Sequence, residues 1–409
     1  MLDNVKRFDM AQKPKRQKLT LLIRTLAISD LIKHKQKLTK INMEGIKPPY
    51  LLLCNHNSFY DFKVESLATF PKKSNYVIAI DGFIKREGLL RTIGGICKRK
   101  FTNDIILPKQ LKEVVKNKDI AVIYPEARYS LCGTQSVLPE SLAKLVAYLG
   151  VPVVTLICHG NHVCFPFYNI KDHKIKGLEA EMTCIISKEE AKTLPSDEIM
   201  RRINEKFVYD DFKWQKDNNI ICTYKKRAEG LHKPLYKCPN CLTEFEMSSS
   251  GTILKCDHCH KEWEMNELGE LHALEGKTEF SHIPDWYEWE RECVRKEVEE
   301  GKYFFKSKVR IDSLPNADGY IDLGMGELIH DLNGFKLTGS YQGEDFTVEL
   351  NARSTYSVHV EYEYLGKYGD CVDLNTLKDT LYVYPKDCLF SVTKIAIATE
   401  EIYKFLNKK

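Results

Sequence analysis

Residues 50–61 read Tyr-Leu-Leu-Leu-Cys-Asn-His-Asn-Ser-Phe-Tyr-Asp, or YLLLCNHNSFYD. Tyr50 to Cys54 are apolar without alternation and give way at once to polar residues. An apolar run this short, with so sharp an end, predicts a strand buried on both faces. In the next stretch, DFKVESLATF at 61–70, Val64, Leu67 and Ala68 fall at helical spacing, so a helix begins where the polar residues stop. His56 therefore stands at the mouth of a buried strand, and Asp61 opens the helix five residues later.

The alternation continues outward from this point. YVIAI (76–80), DIAVIYP (119–125, stopped by proline) and VPVVTLIC (151–158) read as three more strands. Between them lie a short helix ending in a glycine turn (88–96), a helix entered through Pro108, and PESLAKLVAYL (139–149). The last has proline in its first turn and Gly150 at its end. Residues 196–208 place Ile199, Ile203 and Phe207 on one helical face, with Ser196 as the expected cap. Strands alternating with helices predict a layered α/β domain with a mostly parallel sheet.

At 409 residues the chain is long for one core, and 43% hydrophobic content fits folded domains. The α/β domain is read as 1–224, followed by a linker at 225–237 broken by Gly230 and Pro234. A cysteine unit covers 238–263, and an acidic, tryptophan-bearing connecting segment covers 264–301. From 302 to 409 short alternating strands (308–313, 345–350, 356–364, 380–385) precede the helix VTKIAIATEEIYKFL. This is read as a β-rich α+β domain, and it loosely resembles a pleckstrin-like module.

Cys238-Pro-Asn-Cys241 and Cys256-Asp-His-Cys259 repeat C-x2-C across fourteen intervening residues. Each pair offers two thiolates on one tight turn, and two turns complete a tetrahedron suited to Zn²⁺. The intervening EFEMSSSGTILK reads as a hairpin turning near Gly251, so the unit is a zinc ribbon. Four protein ligands leave no open position, so the metal is structural and no catalytic cofactor is expected. Glu244, Glu246, Asp257, Glu262 and Glu264 surround it, which argues against contact with a phosphate backbone. The formal net charge of +4 gives no reason to expect a nucleic-acid partner.

Most of the other cysteines stand alone in apolar runs, as expected in a reducing compartment. The first eighteen residues do not read as a signal peptide. They carry Lys6, Arg7, Lys13, Lys15, Arg16 and Lys18 against Asp3 and Asp9, and lead into LTLLIRTLAISDLI (19–32). These fourteen residues, Arg24 and Asp30 among them, are too few to cross a bilayer. A basic segment before an apolar helix instead suits peripheral attachment to an anionic membrane surface on its cytoplasmic face.

Four pieces occur in order: NHNSFYD (55–61), GGICKRKF (94–101), YPEARYS (124–130) and VPVVTL (151–156). In this order and spacing, residues 19–210 resemble the glycerolipid acyltransferase family, which includes 1-acylglycerol-3-phosphate acyltransferase. That family carries a histidine, four residues and an aspartate, then a proline-glutamate-glycine motif and a valine-proline motif. Here Ala127 replaces the glycine, and Arg128 arrives one residue early. The second motif's arginine is matched by Lys100 on counting and by Arg99 on side chain, with Lys98 adjacent.

The resemblance implies transfer of a fatty acyl group from acyl-coenzyme A or acyl carrier protein to a lipid hydroxyl such as that of 1-acylglycerol 3-phosphate. It implies His56 as general base and Asp61 as its orienting acid. It implies Glu126, Arg128, Lys98, Arg99 and Lys100 as substrate-binding groups. The alternative reading is a catalytically inactive, zinc-ribbon binding or scaffold protein at the membrane.

Overall fold

The computed structural model describes residues 5–408; residues 1–4 of the basic N-terminal stretch and Lys409 lie outside them. The chain divides into two units. One comprises Asp9–Lys98 and Asn103–Cys222. The other comprises Thr223–Lys409, the short segment Arg99–Thr102 and the first residues up to Phe8.

The first unit is built on one seven-stranded sheet. Its strands are β1 (Lys37–Ile41), β2 (Leu51–Cys54), β3 (Ser74–Ala79), β4 (Gly95–Lys98), β5 (Ile120–Ile123), β6 (Val153–His159) and β7 (Glu179–Ile186). They lie in the order β1-β7-β6-β2-β5-β3-β4. Every neighbouring pair is parallel except β6 and β7, so the sheet is mixed, with parallel pairing dominant. β2 is central and each of its residues is buried, as the unbroken apolar run requires. β1 carries no such run: its burial pattern is mostly exposed, which is why KLTKI gives no signal in the sequence.

The connecting helices are α1 (Thr20–Lys33), α2 (Tyr60–Thr69), α3 (Glu87–Thr92), α4 (Ile106–Lys116), α5 (Ser141–Leu149), α6 (Asn161–Cys164), α7 (Glu190–Thr193), α8 (Ser196–Lys206) and α9 (Asp211–Asp217). α5 ends at Gly150 in the left-handed region, as the sequence predicts. α8 buries Ile199 and Ile203 against the core that includes Phe207. Its cap position is Pro195, however, and Ser196 is the first helical residue with no capping hydrogen bond. The proline ring already sets the entry angle, so the serine is not needed there.

The second unit holds two antiparallel sheets. β8 (Met247–Ser250), β9 (Ile253–Cys256), β10 (Glu262–Met265) and β11 (Leu271–Ala273) form a four-stranded meander. Then come α10 (Ile283–Glu299) and seven strands: β12 (Phe305–Ser313), β13 (Ile321–Asp331), β14 (Gly334–Tyr341), β15 (Glu344–Asn351), β16 (His359–Glu361), β17 (Cys371–Asn375) and β18 (Thr380–Pro385). Their order is β15-β14-β13-β12-β18-β17-β16, and α11 (Val392–Leu406) closes the chain. α10 and α11 are joined by Arg291, which donates to Glu400 (2.7 Å) and Glu401 (3.2 Å). Within the stretch 225–237, Ala228, Leu231, Leu235 and Tyr236 are fully buried, so it is packed chain. Of YSVHVEYEY only His359–Glu361 is strand; Glu363 and Leu365 have positive φ, which breaks the extended run.

Candidate active site and metal centre

β5, β2 and β6 are adjacent and parallel, so their C-terminal ends open on one edge of the sheet. Ligands of α/β sheets gather at that edge. His56 lies two residues beyond β2, Tyr124–Ser130 follow β5, and Gly160–Asn161 follow β6. Asn55 ties the first of these ends to the third. Its side-chain amide donates to Cys158 O at 2.9 Å and accepts from Cys158 N at 2.8 Å, standing in for a peptide group.

His56 Nδ1 lies 3.3 Å from Asp61 Oδ2. That oxygen also accepts from the backbone N–H of Asn57 (2.6 Å) and Ser58 (2.9 Å). The turn between β2 and α2 thus wraps around the carboxylate, and this brings residues five apart together. The imidazole is held between the rings of Tyr124 and Tyr129, each with its centroid 4.3 Å away. The His56 side chain is 22% exposed and that of Asp61 1%, so of the pair only the ring reaches solvent. A carboxylate at Nδ1 fixes the tautomer and leaves Nε2 as the proton-accepting nitrogen.

Glu126 is fully buried. Its carboxyl accepts from His56 N (3.2 Å), Ser136 N (2.7 Å) and Tyr209 Oη (3.0 Å). Burial pushes it up to about 7. Arg128 is also buried, and its Nε donates to Ser136 Oγ at 3.2 Å. The resemblance implies that both side chains bind substrate. The structure encloses both, and gives them contacts that hold the turn after β5 against the backbone of His56. Lys98 pairs with Asp104, and burial lowers its pKa.

Arg99 and Lys100 belong to the second unit. Arg99 is buried, and its guanidinium donates to the carbonyls of Leu314 (3.0 Å), Pro315 (3.0 Å) and Lys378 (3.2 Å) and to Thr380 Oγ1 (2.7 Å). Lys100 Nζ lies 3.8 Å from Glu361 and 3.7 Å from Asp373. The basic run is therefore split, with each cation given protein partners. Adjacent charges in sequence carry no sign of this division.

Three buried groups around His56 escape the sequence reading. Asn161 Nδ2 donates to Asp61 Oδ1 at 2.7 Å. Asp211 Oδ2 accepts from His162 N (2.7 Å) and Asn57 Nδ2 (3.3 Å), and burial pushes its carboxyl up to about 8. Tyr209 supports Glu126. The usable signal is a glycine followed by a polar residue, Gly160-Asn161, directly after the apolar strand β6. Gly160 is required there: it has φ 83°, and an added Cβ would lie 2.3 Å from the Trp214 ring.

In the second unit Cys238, Cys241, Cys256 and Cys259 bring four sulfurs within 4.8 Å of one another. The Cys238–Cys259 and Cys241–Cys256 Sγ separations are each 3.7 Å. Four sulfurs about 2.3 Å from a central zinc stand about 3.75 Å apart in a tetrahedron, whereas a disulfide requires about 2.05 Å. The two turns are near copies. Leu242 N donates to Cys238 O at 2.9 Å and His260 N to Cys256 O at 2.8 Å, with Leu242 and His260 both left-handed. Asn240 Nδ2 points at Cys259 Sγ from 3.4 Å, a donor placed for a thiolate. The cluster is capable of holding a metal ion, and its donor set and spacing fit zinc.

No family model matches the sequence, and no curated protein matches it significantly. Among solved structures, the crystal structure of the 1-acyl-sn-glycerophosphate (LPA) acyltransferase PlsC from Thermotoga maritima is similar, with a TM-score of 0.38. The two share 13% identity over 46% of this chain and 76% of that one.

Proposed function

We propose that the α/β unit is an acyltransferase that moves a fatty acyl group from a thioester donor to a lipid hydroxyl. The observation that carries this reading is the held pair: His56 Nδ1 at 3.3 Å from a buried Asp61 whose carboxylate is tied to two backbone N–H groups. His56 Nε2 takes the proton of the acceptor hydroxyl as its oxygen attacks the thioester carbonyl. The carbon–sulfur bond breaks, the imidazolium returns the proton to the thiolate, and ester and thiol leave. No protein nucleophile is needed. A lysophospholipid such as 1-acylglycerol 3-phosphate is the acceptor class, and acyl-coenzyme A or acyl carrier protein the donor.

Glu126 and Arg128 serve this reading as supports of the turn that carries His56. The domain boundaries belong to the same proposal: an acyltransferase domain over 1–224, a ribbon over 238–263 and a β-rich domain over 302–409, joined by 225–237 and 264–301. Zn²⁺ held by the four cysteines closes the ribbon as a structural ion.

Among the described residues, no helix is long and apolar enough to cross a membrane. α1 buries Ile23, Ala27 and Leu31 and turns Leu21 (70% exposed), Leu26 (69%) and Ile32 (69%) outward. This second apolar face supports peripheral attachment to an anionic bilayer. Flotation with anionic vesicles at low salt tests it, and Leu21→Glu/Leu26→Glu should stay in the soluble fraction. A wild type that also stays there ends the anchor reading.

Acyl transfer from both donors to a panel of lysophospholipids tests the activity. His56→Ala should retain the fold and lose about 10²- to 10⁴-fold in kcat, the usual worth of a general base. Equal turnover in wild type and variant would remove His56 from the chemistry. A second reading, a binding or scaffold protein without turnover, is favoured by one observation: Arg99, Lys100 and Lys98 all have protein carboxylates or carbonyls as partners. A folded wild type that consumes no thioester with any acceptor would decide for it.

A further inference from the structure

The Asp61 carboxylate is pinned at both oxygens, and one of the pins comes from far away in the chain. Oδ2 faces the His56 ring and two backbone N–H groups of its own turn. Oδ1 accepts from Asn161 Nδ2 at 2.7 Å, across one hundred residues of sequence. Asn161 is fully buried at the start of α6, and its orientation follows from charge: a flipped amide would aim its oxygen at a carboxylate. The carboxylate torsion of an aspartate is broad and soft when only one oxygen is held. With Oδ1 released, the plane can turn, and Oδ2 can follow the two backbone N–H groups away from the imidazole, whose contact is already the longest of the set.

We propose that Asn161 is a positioning residue for the His56–Asp61 pair: its amide fixes the carboxylate plane so that Oδ2 keeps the imidazole in the Nδ1–H tautomer. This rests on the reading of His56 as general base. Asn161 reaches the reaction only through Asp61. Its place is secured by Gly160, by the backbone of α6, and by Asp211, which binds the neighbouring His162 N and the Asn57 side chain.

Two readouts test it. The first is a double-mutant cycle on acyl transfer. Asn161→Ala removes one hydrogen bond to a charged group, so kcat should fall about 10- to 100-fold with KM changed less than about threefold. In an Asp61→Asn background the same change should cost almost nothing, because the group it acts through is gone. Additive losses would make Asn161 an ordinary structural residue and overturn the inference. The second readout needs no turnover: ¹⁵N spectra of histidine-labelled protein, with the His56 signal assigned by its loss in His56→Ala. Wild type should show one tautomer, and Asn161→Ala a mixture. An unchanged His56 signal in the folded variant overturns the inference even if the enzyme is active. If wild type transfers no acyl group while the tautomer shifts as expected, the positioning role stands and the proposed reaction falls. Should Asn161→Ala not fold, Asn161→Leu, of closer volume and with no donor, fills the site and should give the same tautomer mixture.

Discussion

The four-cysteine cluster and the His56 site lie in different units and are assembled in different ways. All four sulfurs come from two copies of one five-residue turn, each closed by its own backbone hydrogen bond, within 22 residues of chain. Around His56 the groups come from the ends of β2, β5 and β6 and from the start of α9, with partners as much as 154 residues apart. A local device can be read from spacing, because the turn that places the ligands is encoded beside them. A distributed site becomes legible only once the strand order is known. The two should also fail differently: the cluster through loss of its metal, the site through loss of single hydrogen bonds.

The largest expected effect is on the cluster. Freshly purified, reduced protein should contain one zinc ion per chain, and its removal by chelator should release hydrogen-exchange protection over 238–265. Structural zinc in small modules is worth roughly 10 kcal/mol or more of folding free energy. Protection in β2, β5 and β6 should persist, because none of their hydrogen bonds depends on the cysteine turns. Zinc-free protein with an intact ribbon, or sulfurs joined as disulfides, would break the comparison at its first term.

Next is Asp61→Asn, with an expected loss of about 10²- to 10⁴-fold in turnover through the wrong imidazole tautomer. An asparagine can accept from Asn57 N and Ser58 N with its oxygen, but its NH₂ then meets the NH₂ of Asn161. Circular dichroism and melting must therefore accompany the rate. Full activity in a folded Asp61→Asn protein would show that the carboxylate only caps the turn.

These outcomes bear on how much was legible beforehand. The parallel core of the sheet could be read from four apolar runs, with Pro125 marking the end of the third and Gly150 the end of the helix before the fourth. β1 was silent because its residues alternate too weakly, and β13 and β14 because glycines interrupt their apolar pattern. His56 and Asp61 were legible through a motif. The burial of Glu126 and Arg128 was not, since charged side chains after a strand look the same in sequence whether they face water or Ser136. Nor could KRK at 98–100 reveal that its members are divided between two units.

A smaller effect comes from a buried acid one turn after Asp61 on α2. Glu65 is fully enclosed on α2, and burial pushes it up to about 8 from a reference value of 4.5. In the folded protein it therefore holds its proton when the unfolded chain has released it. The sign is that of a raised acid. The contribution is complete below about 4.5 and is lost as pH rises toward 8, by about 1.4 kcal/mol per pH unit. Glu65→Gln cannot release a proton, so urea melts between pH 5 and 8 should fall less steeply by that amount. Parallel curves for wild type and variant would mean that Glu65 is ionised in the fold.

The smallest effect sharpens the view of the turn after β5. Ala127 stands where the resembled family has glycine, and it has φ 54°, with its N–H bonded to Tyr124 O at 3.0 Å. A left-handed alanine costs roughly 1–2 kcal/mol against its preferred conformations, because Cβ crowds the neighbouring carbonyl. Glycine has no such contact, although it loses about 0.4–1 kcal/mol through its freer unfolded chain. Ala127→Gly should therefore stabilise the protein by roughly 0–1.6 kcal/mol, with turnover unchanged within twofold. The strain sits beside Glu126, whose carboxyl grips His56 N, Ser136 N and Tyr209. Those bonds keep the turn in its left-handed form against the preference of alanine. If Ala127→Gly raised stability but lowered kcat, the strained turn would be contributing to the placement of His56. If it lowered stability, the turn would relax once those three bonds were the only constraint, and the distributed site would be less rigid than its hydrogen bonds imply.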